Sequence, residues 1–235
     1  MKKFSIVIPI YNEYENIKSL HTEILNSTKY IKNTEFEIIF IDDASIDGSK
    51  ELLKDIKKKH NIKLIHNLRN LGQSKSIYIG IKSSSHPDII TIDGDGQNDP
   101  NDIPKLIHVY LQNNLSLIGG IRKKRKDSFI KIFSSFVANQ IRAYILKDNC
   151  KDTGCSLKIF KKDIFLQFPY FDGIHRFLPA LYLGLGYNTF FINVNHRNRK
   201  FGVSKYGTFK RLVYGIRDTI KVYKIIRNYN VRISK

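Results

Sequence analysis

Short apolar runs alternate with longer amphipathic stretches through the first half of the chain. Phe4-Ser5-Ile6-Val7-Ile8 reads as a strand stopped at Pro9. Ile17, Leu20, Ile24 and Leu25 then recur at helical spacing between about Glu15 and Asn26. Glu37–Ile41 predicts a second strand, followed by a helix to about Lys59 for which Asp47 or Ser49 is the available N-cap. Ile62–His66 is a third strand, Arg69–Ser74 leads into a helix reaching about Lys82, and Ile89–Ile92 is a fourth strand. Several strands are apolar nearly throughout, the pattern of a mostly parallel sheet covered by helices on both faces.

Polar clusters interrupt this pattern at residues 9–13, 42–49, 69–74 and 93–97, each at the end of a strand. Ligands of open α/β sheets lie off the carboxyl ends of the strands, so four such loops define one crevice. Asp93-Gly94-Asp95-Gly96-Gln97 carries the clearest chemistry. Two carboxylates separated by a glycine can turn toward one cation, and hard oxygen ligands suit Mg²⁺ or Mn²⁺, with Gln97 adding a neutral oxygen. Taken alone the triplet is an ordinary surface turn, since Asp and Gly are common turn formers. Its place after an apolar strand reverses that order. No strand is followed by a Walker A loop or by G-x-G-x-x-G, which weakens P-loop and dinucleotide readings.

The second half is less regular. Asp99-Pro100 and Ile103-Pro104 start a helix to about Asn113, and Leu115–Gly119 is a short strand. The basic run Arg122–Lys126 precedes a helix from about Phe129 to Leu146. A strand near Leu157–Phe160, a helix near Ile174–Leu185, a strand over Tyr187–Val194 and a basic loop, His196–Tyr206, follow. From Thr208 to Ile233, Leu212, Val213, Ile216, Ile220, Tyr223 and Ile226 are interleaved with Lys and Arg, a basic amphipathic helix suited to a membrane interface. The expected division is a catalytic domain over residues 1–207 and this helix over residues 208–235.

Composition narrows the classes. A chain of 235 residues with 42% hydrophobic and 26% charged residues can fold around a substantial core. Its net charge of +19 would draw nucleic acid, an anionic membrane or a phosphorylated substrate. No apolar run approaches the roughly 20 residues that span a bilayer, and Met1-Lys2-Lys3-Phe4 passes straight into a strand-like run, so a cytoplasmic protein is expected. Cys150 and Cys155 are too few for a disulfide framework or a four-ligand zinc site and read as reduced structural thiols.

Pro9-Ile10-Tyr11-Asn12-Glu13, Asp42-Asp43-Ala44-Ser45-Ile46-Asp47-Gly48 and Asp93-Gly94-Asp95-Gly96-Gln97 together resemble the ordered motifs of family 2 glycosyltransferases. More narrowly, the chain is similar to the dolichol-phosphate mannosyltransferase branch and its bacterial polyprenyl-phosphate relatives. Asp152–Lys158, Phe171–Pro179 and Gly202–Tyr206 extend the match in the same order. The resemblance implies a GT-A-like fold, a GDP- or UDP-sugar donor with mannose favoured, Mg²⁺ or Mn²⁺, and a polyprenyl-phosphate acceptor, with inversion at the sugar. By the same resemblance, Pro9, Tyr11, Glu13, Ile41 and Asp43 hold base and ribose, while Asp93, Gly94 and Asp95 meet sugar, diphosphate and metal. Gln97 completes the metal shell, Arg122 contacts a phosphate, and Lys205 neutralises phosphate from its loop. The chain departs from the family pattern at Phe136, where an arginine is usual; Lys131 or Arg142 is the available substitute.

The acceptor can be argued from chemistry as well. A sugar hydroxyl needs a general base, whereas a phosphate monoester, with a second pKa of about 6, is already ionised and needs only cations. Arg176, Arg199 and Lys205 are on hand for that phosphate and carboxylates are few, Asp152 and Asp172 being the nearby ones. The expected enzyme therefore acts at the cytoplasmic face of an anionic membrane, attached peripherally or through a membrane-protein partner. A family 2 transferase acting on a glycan or glycolipid hydroxyl is the alternative. A non-enzymatic nucleic-acid-binding protein comes last, because charge alone suggests it and Asp42, Asp43, Asp93 and Asp95 would repel the ligand.

Overall fold

β1 (Lys2–Ile10) runs near the middle of a seven-stranded sheet and decides its layout. Phe4, Ile6, Ile8 and Ile10 enter one core layer and Val7 the other, all at most 1% exposed. A strand buried on both faces must be apolar at nearly every position, which is why it carries no clean alternation.

The computed structural model of the protein describes residues 1–122, 140, 142–148, 150–199, 201 and 208–233, with side chains of the last helix from 215 to 229. After β1 come α1 (Tyr14–Thr28), β2 (Thr34–Asp42), α2 (Ser49–Lys59), β3 (Ile62–His66), α3 (Gln73–Ser83) and β4 (Asp88–Thr91). A 3₁₀ turn at Pro100–Asp102 opens α4 (Ile103–Gln112), and β5 (Leu117–Arg122) follows. The remaining elements are β6 (Lys158–Lys161), α5 (Lys162–Phe165), α6 (Ile174–Gly184), β7 (Thr189–Val194) and α7 (Thr208–Ile233).

The strand order is β3-β2-β1-β4-β6-β5-β7. β1 pairs parallel with β2 and β4, and β2 with β3, in a register that sets Ile10 beside Asp42 and Val7 beside Thr91. The ends of β1, β2, β3 and β4 therefore open on one edge of the sheet, as the sequence pattern requires. β6 runs antiparallel to both β4 and β5, and β7 returns parallel to β5.

Helices cover both faces. Leu20 and Ile24 of α1, Leu53 of α2 and Leu106 of α4 fill one layer. Ile77 and Ile81 of α3, Leu178 and Leu181 of α6 and Val222 of α7 fill the other. Each fully buried side chain of this size contributes about 1.5–3 kcal/mol. α3 lies close to the sheet because Gly80 offers no side chain; a Cβ there would come within 2.6 Å of both Val7 and Ile41.

Three expectations are corrected. The N-cap of α2 is Gly48, at φ 89°, and neither Asp47 nor Ser49 takes that place. Instead Asp47 accepts N–H bonds from Tyr14 and Ser49, and the Ser49 hydroxyl accepts the Glu13 N–H, so both residues stitch this loop to the start of α1. β5 starts two residues later than expected and runs through Arg122, which ends a strand rather than opening a loop. Most of the helix expected over 129–146 lies outside the described residues; 142–146 are helical. α7 has the expected limits, and one of its sides packs on the domain, with Ile226 against Gly184 and the Tyr229 hydroxyl donating to Gln167 at 3.0 Å. Among the described residues, no helix is long and apolar enough to cross a membrane.

Candidate donor and cation site

The loop after β4 is pressed onto the end of β1. A Cβ on Gly94 would meet Ile10 Cδ1 at 2.4 Å and the Pro9 carbonyl oxygen at 2.9 Å, so only glycine lets Asp93 and Asp95 flank this contact. The Asp93 N–H donates to Asn98 Oδ1 at 3.2 Å, and the Ser156 hydroxyl donates to that same oxygen at 2.6 Å. Gln73 Nε2, at the start of α3, donates to Asp93 Oδ1 at 2.7 Å. Burial, then the neighbouring Asp95 charge, pushes the Asp93 carboxyl up to about 6, against the opposing pull of Lys158 and Arg122.

Asp95 has partners of its own. Its Oδ1 accepts the Gln97 N–H at 3.1 Å and its Oδ2 pairs with Arg199 Nη2. The same guanidinium reaches to 4.0 Å from Glu13 Oε1, so Arg199 lies between the tips of β1 and β4. Gln97 and Arg197 exchange bonds: the Arg197 N–H donates to the Gln97 carbonyl at 2.8 Å, and Gln97 Nε2 donates to the Arg197 carbonyl at 3.3 Å. Asn98 and His196 form a further bridge, and Arg197 pairs with Asp99 at 2.6 Å. Residues 196–199, directly after β7, are thereby clasped to the acidic tip of β4.

The end of β2 is built differently. Asp43 accepts from Asn67 Nδ2 at 2.7 Å, from the Leu71 N–H at 2.9 Å and from the Gly72 N–H at 2.8 Å. Asp42 accepts the Ser45 N–H and lies 3.2 Å from His66 Nδ1. Both carboxylates are buried; Asp43 holds the turn leading into α3, and Asp42 ties its own loop to the end of β3.

Other sequence-derived candidates fall around these tips. Pro9 and Tyr11 are half-buried on the rim, and Glu13 is buried beside Asn16, which donates to it at 2.8 Å. Ile41 is fully buried in the core, between Pro9 of β1 and Ile65 of β3 in the sheet. Arg122 grips Asp152 with two guanidinium bonds, of 2.7 and 2.8 Å, and a main-chain bond of 3.1 Å. Burial works against the Arg122 charge, but Asp152 more than compensates and raises its pKa. Arg176 pairs with Asp218 of α7 at 3.1 Å. Its neighbour His175 lies 2.9 Å from Ser74 Oγ, which also accepts the Gly173 N–H; burial, then the Arg176 charge, lowers the His175 pKa to about 3, so the ring is neutral. Lys205 lies outside the described residues.

Gln73, Ser74, Asn98 and Lys158 also belong to this neighbourhood. The first two sit in a cluster already marked by its place at a strand end, and Lys158 closes the Asp152–Lys158 motif; Asn98 directly follows the acidic cluster without having been singled out. Among the described residues no group of three or more His, Cys, Asp or Glu side chains converges as a metal cluster. A divalent ion here would therefore rest on Asp93, Asp95 and Gln97 and draw its other oxygens from the donor or water. The donor set fits: two hard carboxylates are close enough that one disfavours ionisation of the other, a repulsion that a cation relieves.

A family model described as Glycosyl transferase family 2 matches residues 5–168. An undecaprenyl-phosphate 4-deoxy-4-formamido-L-arabinose transferase of Yersinia pestis (strain Pestoides F) is 34% identical over 223 residues, covering 94% of this chain and 67% of the relative. Dodecaprenyl-phosphate galacturonate synthase of Rhizobium johnstonii is 32% identical over 230 residues, covering 96% of this chain and 68% of the relative. Neither name carries mannose, so the mannose expectation gains no support. Among solved structures, glucosyl-3-phosphoglycerate synthase of Mycobacterium tuberculosis, in complex with Mn²⁺, UDP and phosphoglyceric acid, superposes with a TM-score of 0.66. It is 16% identical and the match covers 94% of this chain and 77% of that one. S. aureus TarS 1-349 in complex with UDP-GlcNAc gives a TM-score of 0.63 at 17% identity, covering 94% and 66%. The protein has a GT-A-like fold.

Proposed function

The chain belongs to glycosyl transferase family 2, and from that premise we propose that it moves a sugar from a nucleoside-diphosphate donor to the phosphate of a polyprenyl lipid. The observation that carries the acceptor is the state of the acid–base groups around Arg122 and Arg176. Asp152 and Asp218 are each engaged by an arginine, Asp172 is exposed and accepts the Tyr170 hydroxyl at 2.8 Å, and His175 is held neutral as a very weak base. Such a surface is poor at deprotonating a hydroxyl and well suited to a nucleophile that arrives ionised. The names of the polyprenyl-phosphate relatives support the same reading.

In this mechanism Pro9, Tyr11 and Glu13 receive base and ribose, with Ile41 contributing main chain and Asp43 acting through the loop it holds. Asp93, Asp95 and Gln97 would hold Mg²⁺ or Mn²⁺, and the ion would supply charge stabilisation to the departing diphosphate. Gly94 keeps the chain thin where the donor sugar lies. An acceptor phosphate oxygen bonds to the anomeric carbon as the bond to the nucleoside diphosphate breaks, with inversion there. Arg122, Arg199 and Lys205 receive the diphosphate charge; Arg176, Arg199 and Lys205 orient the acceptor phosphate. A UDP-sugar is favoured as donor by the UDP complexes of the structural neighbours, and arabinose-derived or uronic sugars come before mannose. The enzyme would work at the inner membrane face, directly or beside a membrane-protein partner.

The test offers labelled UDP-sugars with Mn²⁺ to the protein together with polyprenyl phosphate or the free polyprenol. Product is expected from the phosphate alone. Product from the alcohol would overturn the acceptor reading and restore the hydroxyl alternative.

A further inference from the structure

Three consecutive residues at the start of α3 each hold a different part of the site. The Gly72 N–H donates to Asp43 Oδ2 at 2.8 Å, after β2. Gln73 Nε2 donates to Asp93 Oδ1 at 2.7 Å, at the tip of β4. Buried Ser74 accepts the Gly173 N–H at 2.7 Å and lies 2.9 Å from His175 Nδ1, both at the start of α6. Its oxygen is thereby an acceptor for Gly173, so its hydrogen is free to donate to an unprotonated Nδ1. α3 itself receives no side-chain cap, so the polar groups of its first turn serve neighbouring elements and not the helix.

Gly173 joins Ser74 to the acceptor cation. A Cβ at Gly173 would come within 2.7 Å of Arg176 Nη2 and 2.9 Å of Asp218 Oδ2, so the Arg176–Asp218 pair presses on the residue whose N–H Ser74 holds.

We infer that Gln73 and Ser74 are positioning residues of the transfer reaction, and that the turn carrying them couples the cation tip to the acceptor segment. Gln73 occupies one oxygen of Asp93, which fixes the rotation of the carboxylate and leaves the other oxygen to a divalent ion. Outer-shell donors of this kind are worth about 10–100-fold in metal affinity or activity. Ser74, through Gly173 and His175, fixes the start of α6 and so the direction from which Arg176 meets a phosphate. One turn has to be ordered for both purposes. Whichever ligand orders it first lowers the cost to the second, and the benefit is reciprocal. The inference deepens the proposed function and rests on it for the identity of the two ligands.

The experiment is calorimetry of UDP, and of GDP in parallel, with Mn²⁺, with and without farnesyl phosphate as a short acceptor. In the wild type, farnesyl phosphate should tighten nucleotide binding about five-fold or more. Gln73→Leu should weaken nucleotide binding with Mn²⁺ roughly tenfold or more without the acceptor. His175→Phe keeps a ring and removes Nδ1; nucleotide binding alone should persist while the farnesyl phosphate effect disappears. His175→Asn, whose Oδ1 replaces Nδ1, should restore that effect, which a loss of packing alone would not allow. If His175→Phe does not fold, Ser74→Ala decides by the same loss of coupling. Unchanged nucleotide binding by folded Gln73→Leu would overturn the inference. So would an undiminished farnesyl phosphate effect in the folded His175 or Ser74 variant, or no such effect in a wild type that transfers sugar to polyprenyl phosphate. A wild type that binds neither nucleotide, or that transfers to the free polyprenol instead, fails at the transferase reading itself and takes the inference with it.

Discussion

Asp43 and Asp93 stand at the ends of two parallel strands, both adjoining β1, yet one is satisfied by its own chain and the other is not at ease in it. Asp43 accepts three N–H bonds from residues 67–72. Asp93 is crowded by burial and by the Asp95 charge until its carboxyl titrates at about 6. The same residue type at equivalent ends of strands therefore meets two environments: one carboxylate fixes a loop, and the other sits where burial and a second carboxylate raise its pKa, a repulsion that a divalent cation would relieve. A carboxylate whose lone pairs are filled by backbone donors is scaffold. One that is held against its tendency to protonate has a use outside the fold.

Breaking the second environment should have the largest effect. Asp95→Asn is expected to reduce sugar transfer about a hundred- to a thousand-fold, with Mn²⁺ binding lost in calorimetry and the melting transition preserved. Breaking the first should appear in folding instead. Asp43→Ala removes an ionised acceptor from three donors and should destabilise the protein by about 2–4 kcal/mol in urea denaturation. If Asp43→Ala melts like the wild type, the contrast between the two tips is wrong.

A pH series sharpens the contrast. The folded-state pKa of Asp93, about 6, lies above its usual 3.8, so between those values the native protein holds a proton that the unfolded chain has released. Without divalent metal, native stability should fall as pH rises through this window. Asp93→Asn should abolish that loss and be about 1–2 kcal/mol more stable than the wild type at pH 7.5, with no gain below pH about 4, since one pKa unit corresponds to about 1.4 kcal/mol and Asp93 keeps some contact with water. The smallest effect concerns Arg199, which occupies Asp95. Arg199→Ala should tighten donor-free Mn²⁺ binding by roughly two- to five-fold, the worth of a partly exposed ion pair. Weaker binding would mean that Arg199 supports the cation site instead of competing for it.

How far these assignments were legible depended on range. β3 and α7 have the limits that their periodicity predicts, because a run of apolar residues or a 3.6-residue repeat is local information. The four polar strand ends were also readable, since a parallel sheet obliges them to share an edge. The cap of α2 was misread because a left-handed Gly48 leaves Asp47 and Ser49 free to reach α1, a partner distant in sequence. Ile41 reads as a site residue from its motif, whereas strand alternation turns its side chain into the core. That Arg122 is anchored by Asp152, thirty residues on, could not be read from its motif, because that pairing is made only by folding.

Residue order by itself determined that the sheet is mostly parallel, where acidic chemistry gathers, and that the tail is basic and amphipathic, because these follow from nearest-neighbour periodicity and composition. Only the tertiary structure decided which acids are spent on backbone donors and which arginines are already engaged. Burial and pairing arise between residues that meet through folding, and no local pattern carries that information.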